Sequence, residues 1–437
     1  MKTKKETWII LLLVFVVLAV NGQEVDTNMI QTSTPEQIKE LIKTLRDINS
    51  YVAGGRTLLM LVAALNENPE VAQVVIDAGA DINAQDGSER RLTPLMFAAY
   101  LNENPEVTQT LIDAGADVDV RDGIDRSSLM GAAGFNENPE VAQTLIDAGA
   151  DVNEQNKNGA TSLMIAAMSN GNPAVIQTLI DAGAEVDEQD NSGATSLMIA
   201  AMNNGNPAVT QTLIDAGADI DEQDETGATP LMIAAMYNGS FEVTQTLIDA
   251  GADVNEQNKN GETSLMMAAI YNRNPDVVMV LIDARADITA TNKDGRNAID
   301  FAKGNNAIKD TVVFWKLNGL DIPPRYFLFG KWEWNIDQGI HIDTWSYTFS
   351  SNGSVVLMEV ATYDNGMMFQ RRKDEGTYIY IYEDEIITIE WADGGTERMR
   401  LVISEDNRAI TTVFFNDDGT MGPEIEWSRS EYGKIAS

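Results

Sequence analysis

The side chains that most often carry out chemistry are scarce in this chain. It has no cysteine and one histidine, His341, which lies near a predicted strand start without a recognisable partner motif. This inventory excludes thiol catalysis and any metal site built from several histidines, and it disfavours a Ser-His-Asp triad. No glycine loop of the phosphate-binding type is present. We therefore expect no cofactor, no metal and no catalytic residue.

Carboxylates are the one reactive group in excess, with 67 Asp and Glu against 30 Lys and Arg. No catalytic pair stands out among them. Residues Asp219–Asp224 superficially resemble a calcium-binding loop, but the glycine at its sixth position and the glutamate at its twelfth are missing. The sequence therefore predicts that the protein is not an enzyme.

The acidic residues are unevenly placed. Between Asn158 and Asn258 there is no Lys or Arg, against fifteen Asp or Glu. Such a surface repels phosphate backbones and anionic lipids, so we expect neither nucleic acid nor a membrane surface as a partner. It could attract a basic protein partner, or it could be a solvated face that only keeps the protein soluble. Both interpretations stay open.

A repeated phrase predicts the elements that would position any site. Its landmark is Asp-Ala-Gly-Ala-Asp, and the next copy has Arg285 in place of the glycine. The first step between copies is 36 residues and the following five are 34 each. A fixed period of this size predicts a solenoid, in which each unit buries its apolar face only against its neighbours. The landmark glycines are Gly79, Gly115, Gly149, Gly183, Gly217 and Gly251.

Each copy reads as two short helices followed by a hairpin. In one representative copy, Thr161 is expected to cap the first helix, and Asn172 with the following proline to begin the second. Val175, Leu179 and Ala182 are predicted to form the buried stripe of the second helix.

This pattern resembles the ankyrin repeat. The family signature Thr-Pro-Leu-His-x-Ala is matched at residues 93–98 and 229–234, with methionine in place of histidine, and looser copies begin at Thr57, Ser127, Thr161, Thr195 and Thr263. The resemblance implies a mainly α-helical solenoid over residues 34–319, with an N-terminal cap helix, about seven repeats and a degenerate C-terminal cap. It also implies that the hydrogen bonds made by the family histidine between hairpins are absent. The methionines are expected to be core residues: Met60, Met96, Met130, Met164, Met198, Met232 and Met266.

The N-terminus indicates export. Three lysines within residues 2–5 precede thirteen apolar residues, Trp8 to Val20. A membrane-spanning helix needs roughly 20 such residues, so residues 1–22 are predicted to be a signal peptide cleaved after Gly22, and residues 23–33 a linker. An uncleaved anchor is the alternative. We expect a bacterial protein of the periplasm or the outside, with no membrane insertion after cleavage.

A second domain follows a predicted linker at residues 320–329. Residues 330–432 alternate with period two between turn signals, which predicts about eight or nine antiparallel strands and a small β-barrel. Gly330 and Trp332, with Arg429 near the end, resemble the opening and closing residues of lipocalin-like barrels. The resemblance implies an interior that could hold a small apolar ligand, and an interior filled by side chains is the alternative.

In ankyrin proteins a partner usually contacts the hairpin tips and the concave face of the first helices. By that family geometry, the two residues after each Ala-Ala pair fall on the concave face, beginning with Leu65–Asn66. The predicted protein-binding residues are Tyr100, Leu101, Phe135, Met168, Met202, Met236, Tyr237, Ile270 and Tyr271. Partial burial against a neighbouring helix is the alternative for this row. The sequence thus predicts a protein-binding module, with a carrier or sensor of a small apolar ligand, or a structural spacer, as alternatives.

Overall fold

The computed structural model describes residues 27–52, 54–308, 313 and 317, two short strands near the N-terminus, and the backbone of eight strands between residues 330 and 429. The short strands, Leu18–Val20 (β1) and Gln23–Val25 (β2), pair antiparallel. The chain forms two compact units, residues 1–272 with 276–297, and residues 273–275 with 298–437. The predicted signal peptide and the linker at residues 320–329 lie largely or wholly outside the described residues, so these assignments stay predictions.

Paired helices make up the described part of the first unit. Two helices, Thr27–Thr32 and Pro35–Thr44, come first, and a short helix, Ala298–Ala302, follows the last pair in sequence. Each of the seven repeats has a first helix of eight residues and a second helix of nine. The first helices are Leu58–Leu65, Pro94–Leu101, Ser128–Phe135, Ser162–Ser169, Ser196–Asn203, Pro230–Tyr237 and Ser264–Tyr271. The second helices are Pro69–Asp77, Pro105–Asp113, Pro139–Asp147, Pro173–Asp181, Pro207–Asp215, Phe241–Asp249 and Pro275–Asp283.

The first helices form because a hydroxyl cap precedes a run of apolar residues. In repeat four the Thr161 hydroxyl accepts a hydrogen bond from the backbone N–H of Met164 at 3.3 Å. That methionine and its equivalents in the other repeats are at most 1% exposed, which confirms that the methionine column is core. In repeat one the sulfur also accepts a hydrogen bond, from the backbone N–H of Thr57 to Met60 Sδ at 3.3 Å. Methionine therefore fills the core at the position of the family histidine, and in repeat one its sulfur also accepts a hydrogen bond from the capping residue.

The second helices are buried on one side only. In repeat four the Asn172 side chain accepts a hydrogen bond from the backbone N–H of Ala174, and Pro173 occupies the first turn. Val175 and Leu179 are buried as predicted, but the third buried residue is Ile176 rather than Ala182. Ala182 is the C-terminal cap of this helix and is only half-buried, because the chain turns away there.

A buried asparagine joins each repeat to the one before it. In repeat four the Asn170 side-chain amide donates to the carbonyls of Ala133 at 2.9 Å and Asn136 at 2.8 Å, both in repeat three. Its Oδ1 accepts from the backbone N–H of Asn172 at 2.9 Å. The same pair of donated bonds, 2.7–3.0 Å long, recurs in every repeat. These capping asparagines are Asn66, Asn102, Asn136, Asn170, Asn204, Asn238 and Asn272.

A second, more exposed asparagine contact runs beside the first. The N-cap asparagine of the second helix donates to a carbonyl of the preceding repeat, as Asn172 does to Glu137 at 2.7 Å. Asn104, Asn138 and Asn206 make the equivalent bond. Repeat six has Ser240 at this position, and its side chain makes no capping hydrogen bond.

The hairpins are also linked from repeat to repeat, although the family histidine is missing. The backbone N–H of Asn191 donates to the carbonyl of Asn158 at 3.0 Å, and the equivalent bond recurs between the later hairpins. Within each hairpin a carboxylate or amide fixes the turn, as Asp190 Oδ1 does by accepting from the N–H of Ala194. Arg285 takes the left-handed conformation of the landmark glycines, with φ of 67°.

The second unit carries eight strands in its C-terminal part. Each strand pairs antiparallel with the next, and the last strand, Met421–Arg429, also pairs with the first, Gly330–Asp337. Their side chains lie outside the described residues, so the predicted barrel, its lipocalin likeness and its ligand stay predictions. The strands are Gly330–Asp337 (β3), His341–Phe349 (β4), Ser354–Tyr363 (β5), Met368–Ile381 (β6), Ile386–Trp391 (β7), Thr396–Ile403 (β8), Ala409–Phe415 (β9) and Met421–Arg429 (β10).

The capping asparagines predict a specific loss of stability. Replacing Asn170 with alanine removes two donors and leaves two carbonyls of repeat three without partners, so we expect the free energy of unfolding to fall by about 1–3 kcal/mol. Urea unfolding followed by circular dichroism measures the change. The control is Asn203→Ala, because Asn203 is exposed and bonds only to a carbonyl of its own helix. Equal losses in the two variants would contradict this role.

Candidate binding surface

The predicted binding residues lie at the ends of the first helices. We call the last two residues of each first helix, just before the capping asparagine, the terminal pair. In chain order the terminal pairs are Ala64–Leu65, Tyr100–Leu101, Gly134–Phe135, Met168–Ser169, Met202–Asn203, Met236–Tyr237 and Ile270–Tyr271. The predicted register was wrong by one residue in repeat one, where Asn66 is the buried cap rather than a surface residue.

The terminal pairs form a row along the solenoid, and in the N-terminal repeats the large side chains of this row are buried or half-buried. Tyr100 is only 3% exposed, and its ring fills the space beside Gly131 of the next repeat, where any Cβ would overlap it. Its hydroxyl donates to the carbonyl of Ser127 at 3.5 Å, and its ring centroid lies 6.0 Å from that of Phe135. Burial raises the pKa of the Tyr100 hydroxyl. The Tyr100 ring therefore belongs to the core between repeats two and three, and a contact of Tyr100 with a partner stays a prediction.

Arginines of the chain itself cover two further aromatic rings. The Arg56 guanidinium lies 5.4 Å from the centroid of Phe97, and that of Arg126 lies 5.7 Å from the centroid of Phe135. A guanidinium over a ring face is attracted by the negative face of the ring. Burial lowers the pKa of Arg56 and Asp86 opposes that shift. Leu101 and Phe135 are half-buried, so this end of the row offers little free apolar surface.

In the C-terminal repeats, large side chains of the same row are exposed. Met202, Tyr237 and Tyr271 are 37%, 57% and 53% exposed, which makes them three of the most exposed large apolar side chains among the described residues. Met168, Met236 and Ile270 are half-buried beside them. We call Met168, Met202, Met236, Tyr237, Ile270 and Tyr271 the open surface.

Glycines without side chains follow the capping asparagines beside the open surface. The residue after the capping asparagine is glutamate in repeats one to three, but it is Gly171, Gly205 and Gly239 in repeats four to six. None of these glycines has positive φ, and a Cβ added to any of them would meet nothing within 4 Å. Neither backbone conformation nor packing within the described residues requires glycine here. These positions therefore could not be identified from the sequence by the usual structural roles of glycine. Their effect is to leave the edge accessible.

Acidic hairpins precede the first helices of repeats four to six. Glutamines hold their carboxylates in register between repeats, as Gln189 Nε2 does by donating to Glu222 Oε1 at 3.0 Å. A hydrogen bond from the neighbouring Glu185 raises the pKa of Glu188, which indicates crowded carboxyl groups. Arg121 forms ion pairs with Asp125 and Glu154, but it belongs to the hairpin that precedes repeat three. The excess of negative charge over repeats four to six is therefore not neutralised by cations from the same segment.

Two kinds of site were not found among the described residues. In that part of the chain no group of His, Asp and Glu converges as the ligands of a metal ion would. None of the helices described has both the length and the hydrophobicity needed to cross a membrane.

Comparison with protein-family models supports the resemblance seen in the sequence. The family model for ankyrin repeats, described as three copies, matches residues 29–122, 129–224, 197–292 and 231–310, which together make up more than half of the chain. Among solved structures, the chain is similar to the crystal structure of the human ASB11 ankyrin repeat domain, with 26% sequence identity and a TM-score of 0.46 over 52% of this chain and 98% of that chain. No curated protein matches the chain.

The fit of Tyr100 beside Gly131 predicts an unusual response to a glycine-to-alanine change. Alanine normally stabilises a helix interior by roughly 1 kcal/mol relative to glycine. We expect Gly131→Ala instead to lower the free energy of unfolding by about 1–3 kcal/mol, because the new methyl group overlaps a buried ring. The matched control is Gly205→Ala, whose methyl group meets open space. A stabilised Gly131→Ala variant in thermal unfolding would show that the ring moves freely.

Proposed function

The chain belongs to the ankyrin-repeat family, and on that premise we propose that it binds another protein through the open surface and the adjacent hairpin tips. Ankyrin repeats are generally protein–protein interaction modules, and the fold is typically a non-enzymatic scaffold. The observation that carries the proposal is the exposure of Met202, Tyr237 and Tyr271 within the terminal pairs of consecutive repeats. Tyrosine and methionine are enriched at interfaces, and an apolar row on a rigid frame is typical of a contact surface.

The contrast within one chain strengthens this proposal. At the position that exposes Tyr237 and Tyr271 in repeats six and seven, repeat three half-buries Phe135. Repeat two buries Tyr100 one residue earlier along the helix. A tyrosine has only two side-chain torsions, so an exposed tyrosine can anchor a partner at a low cost in conformational entropy. The bare glycine edge would let the backbone of a partner approach the row closely.

We further propose that the protein is exported by a bacterium into the periplasm or the medium. Three lysines followed by thirteen apolar residues support a signal peptide. Mass spectrometry of the chain isolated from its native cells should give an N-terminus at Gln23 in a soluble fraction. An intact N-terminus retained in the membrane fraction would contradict export.

A second candidate function concerns the C-terminal domain. The pairing of β10 with β3 supports a closed β-barrel. A barrel of eight strands can hold one small ligand. In this alternative the domain would be a carrier or sensor of a small apolar molecule, and the repeats would be a docking arm. A purely structural spacer is the third possibility.

Paired tyrosine substitutions separate these functions. Removing both rings with Tyr237→Ala and Tyr271→Ala should weaken retention of a protein partner by about thirtyfold or more, because interface tyrosines often contribute 2 kcal/mol or more. The measurement is quantitative capture from an extract of the native cells, with the full-length chain as bait. The control is Tyr51→Ala, since Tyr51 is 59% exposed but precedes the first repeat.

Each other outcome has a distinct meaning. Equal retention of a partner by the wild type and the double variant would place the interface elsewhere. A small apolar molecule bound to both proteins in native mass spectrometry, with no retained partner, would favour the carrier. No ligand and no partner for either protein would favour the spacer.

A further inference from the structure

Two phenylalanine rings in repeats two and three show that the first helices of this chain can hold guanidinium groups. Phe97 and Phe135 lie on the first helices of repeats two and three, and each is covered by a guanidinium, from Arg56 and Arg126 respectively. In both cases the arginine comes from the residue just before the hydroxyl cap of a first helix. The chain therefore already contains arginine-on-ring contacts on the same helices that carry the open surface.

Tyr237 and Tyr271 lack such a cover. No arginine or lysine lies over either ring within residues 28–52 and 54–308, and both tyrosines are more than half exposed. The residues that correspond to Arg56 and Arg126 in repeats six and seven are Ala228 and Glu262. No cation could come from the preceding two repeats, because residues 158–258 contain no Lys or Arg. The nearest cations in the sequence are Lys259, whose Nζ donates to the carbonyl of Glu225, and Arg273.

The electrostatic surroundings favour a positive group. Because the same asparagine contacts recur between all repeats, the first helices run parallel and their carbonyl ends lie on one side, where the terminal pairs are. A helix C-terminus attracts cations, and parallel helices add their effects. The acidic hairpins of repeats four to six contribute in the same direction.

We propose that the open surface binds a basic segment of a partner protein, with arginine side chains of that segment lying over Tyr237 and Tyr271. The inference rests on the proposed function and specifies the chemistry of the partner. Arginine suits this site better than lysine because its planar guanidinium stacks on a ring face and is more weakly hydrated.

The spacing of the two rings suggests how the arginines are arranged. Equivalent positions on adjacent packed helices are roughly 8–10 Å apart. In a polyproline II helix, residues three apart lie on one side and are separated by about 9 Å. The surface therefore fits an extended segment with arginine at every third position, in which successive arginines meet successive repeats.

A set of synthetic peptides tests this inference on the full-length chain. The probe is a nine-residue proline- and serine-containing peptide with arginine at positions two, five and eight. Three companions replace arginine with lysine, replace it with neutral citrulline, or move the arginines to positions two, four and six. Fluorescence anisotropy at moderate ionic strength should give tightest binding for the first peptide. The citrulline peptide should be at least tenfold weaker.

The matching variants keep the apolar area and remove the aromatic face. For Tyr237→Leu with Tyr271→Leu, we expect affinity for the arginine peptide to fall by roughly fivefold to thirtyfold, since each exposed cation–ring contact contributes about twofold to fivefold. Tyr51→Leu should leave affinity unchanged. Circular dichroism and thermal unfolding would establish that the variants remain folded.

Three results would overturn the inference. They are no binding of the arginine peptide, equal binding of the citrulline peptide, and equal binding to the wild type and the double leucine variant. In the last case the acidic hairpins alone would hold the peptide. None of these results removes the proposed function, which fails only if a partner is retained equally by the wild type and the double alanine variant, or if no partner is retained.

Discussion

The structure depends on a side chain that completes the repeat before its own. Each capping asparagine donates two hydrogen bonds to carbonyls at the end of the preceding first helix, and those carbonyls are buried by the stacking that the asparagine stabilises. A single repeat cannot satisfy this arrangement alone. The helix ends therefore keep one register along the solenoid, and the terminal pairs form one row because that register does not drift.

The helical backbone is nearly the same in every repeat, so the proposed function depends on which side chains of the terminal pairs are buried and which are exposed. The substitution of glycine at residue 131, where neighbouring copies have large apolar residues, makes room for Tyr100 and closes the row. The same type of side chain, one place further along the helix in repeats six and seven, remains at the surface. One solenoid thus has a closed, arginine-covered end and an open, acidic end, and the difference arises from a few side chains rather than from a change of fold.

Much of the fold followed from the sequence because it is encoded locally. The hydroxyl cap at Thr161, the Asn-Pro start at residue 172 and the landmark glycines each act within one turn of helix, so a period and a cap predict them. The buried state of Tyr100 depends on Gly131 in the next repeat, and helix periodicity does not report such a contact. The signal was still visible, since glycine replaces a large apolar residue in that copy only. The capping asparagine was equally visible at one phase of every repeat, but its partners lie in another repeat.

The serine that replaces an N-cap asparagine in repeat six has a mechanical consequence. At the other junctions where the bond is seen, the N-cap side chain reaches back to the preceding repeat. Ser240 is too short to do so, so the junction between repeats five and six has one cross-link fewer, while the buried asparagine link and the hairpin bonds remain. Each unit of a solenoid contacts only its neighbours, so a junction with fewer cross-links bends more easily. This junction joins the first helices that end at Asn203 and Tyr237, beside exposed residues of the open surface. The angle between repeats five and six can therefore change more easily than the angle between repeats four and five, where Asn206 makes the bond.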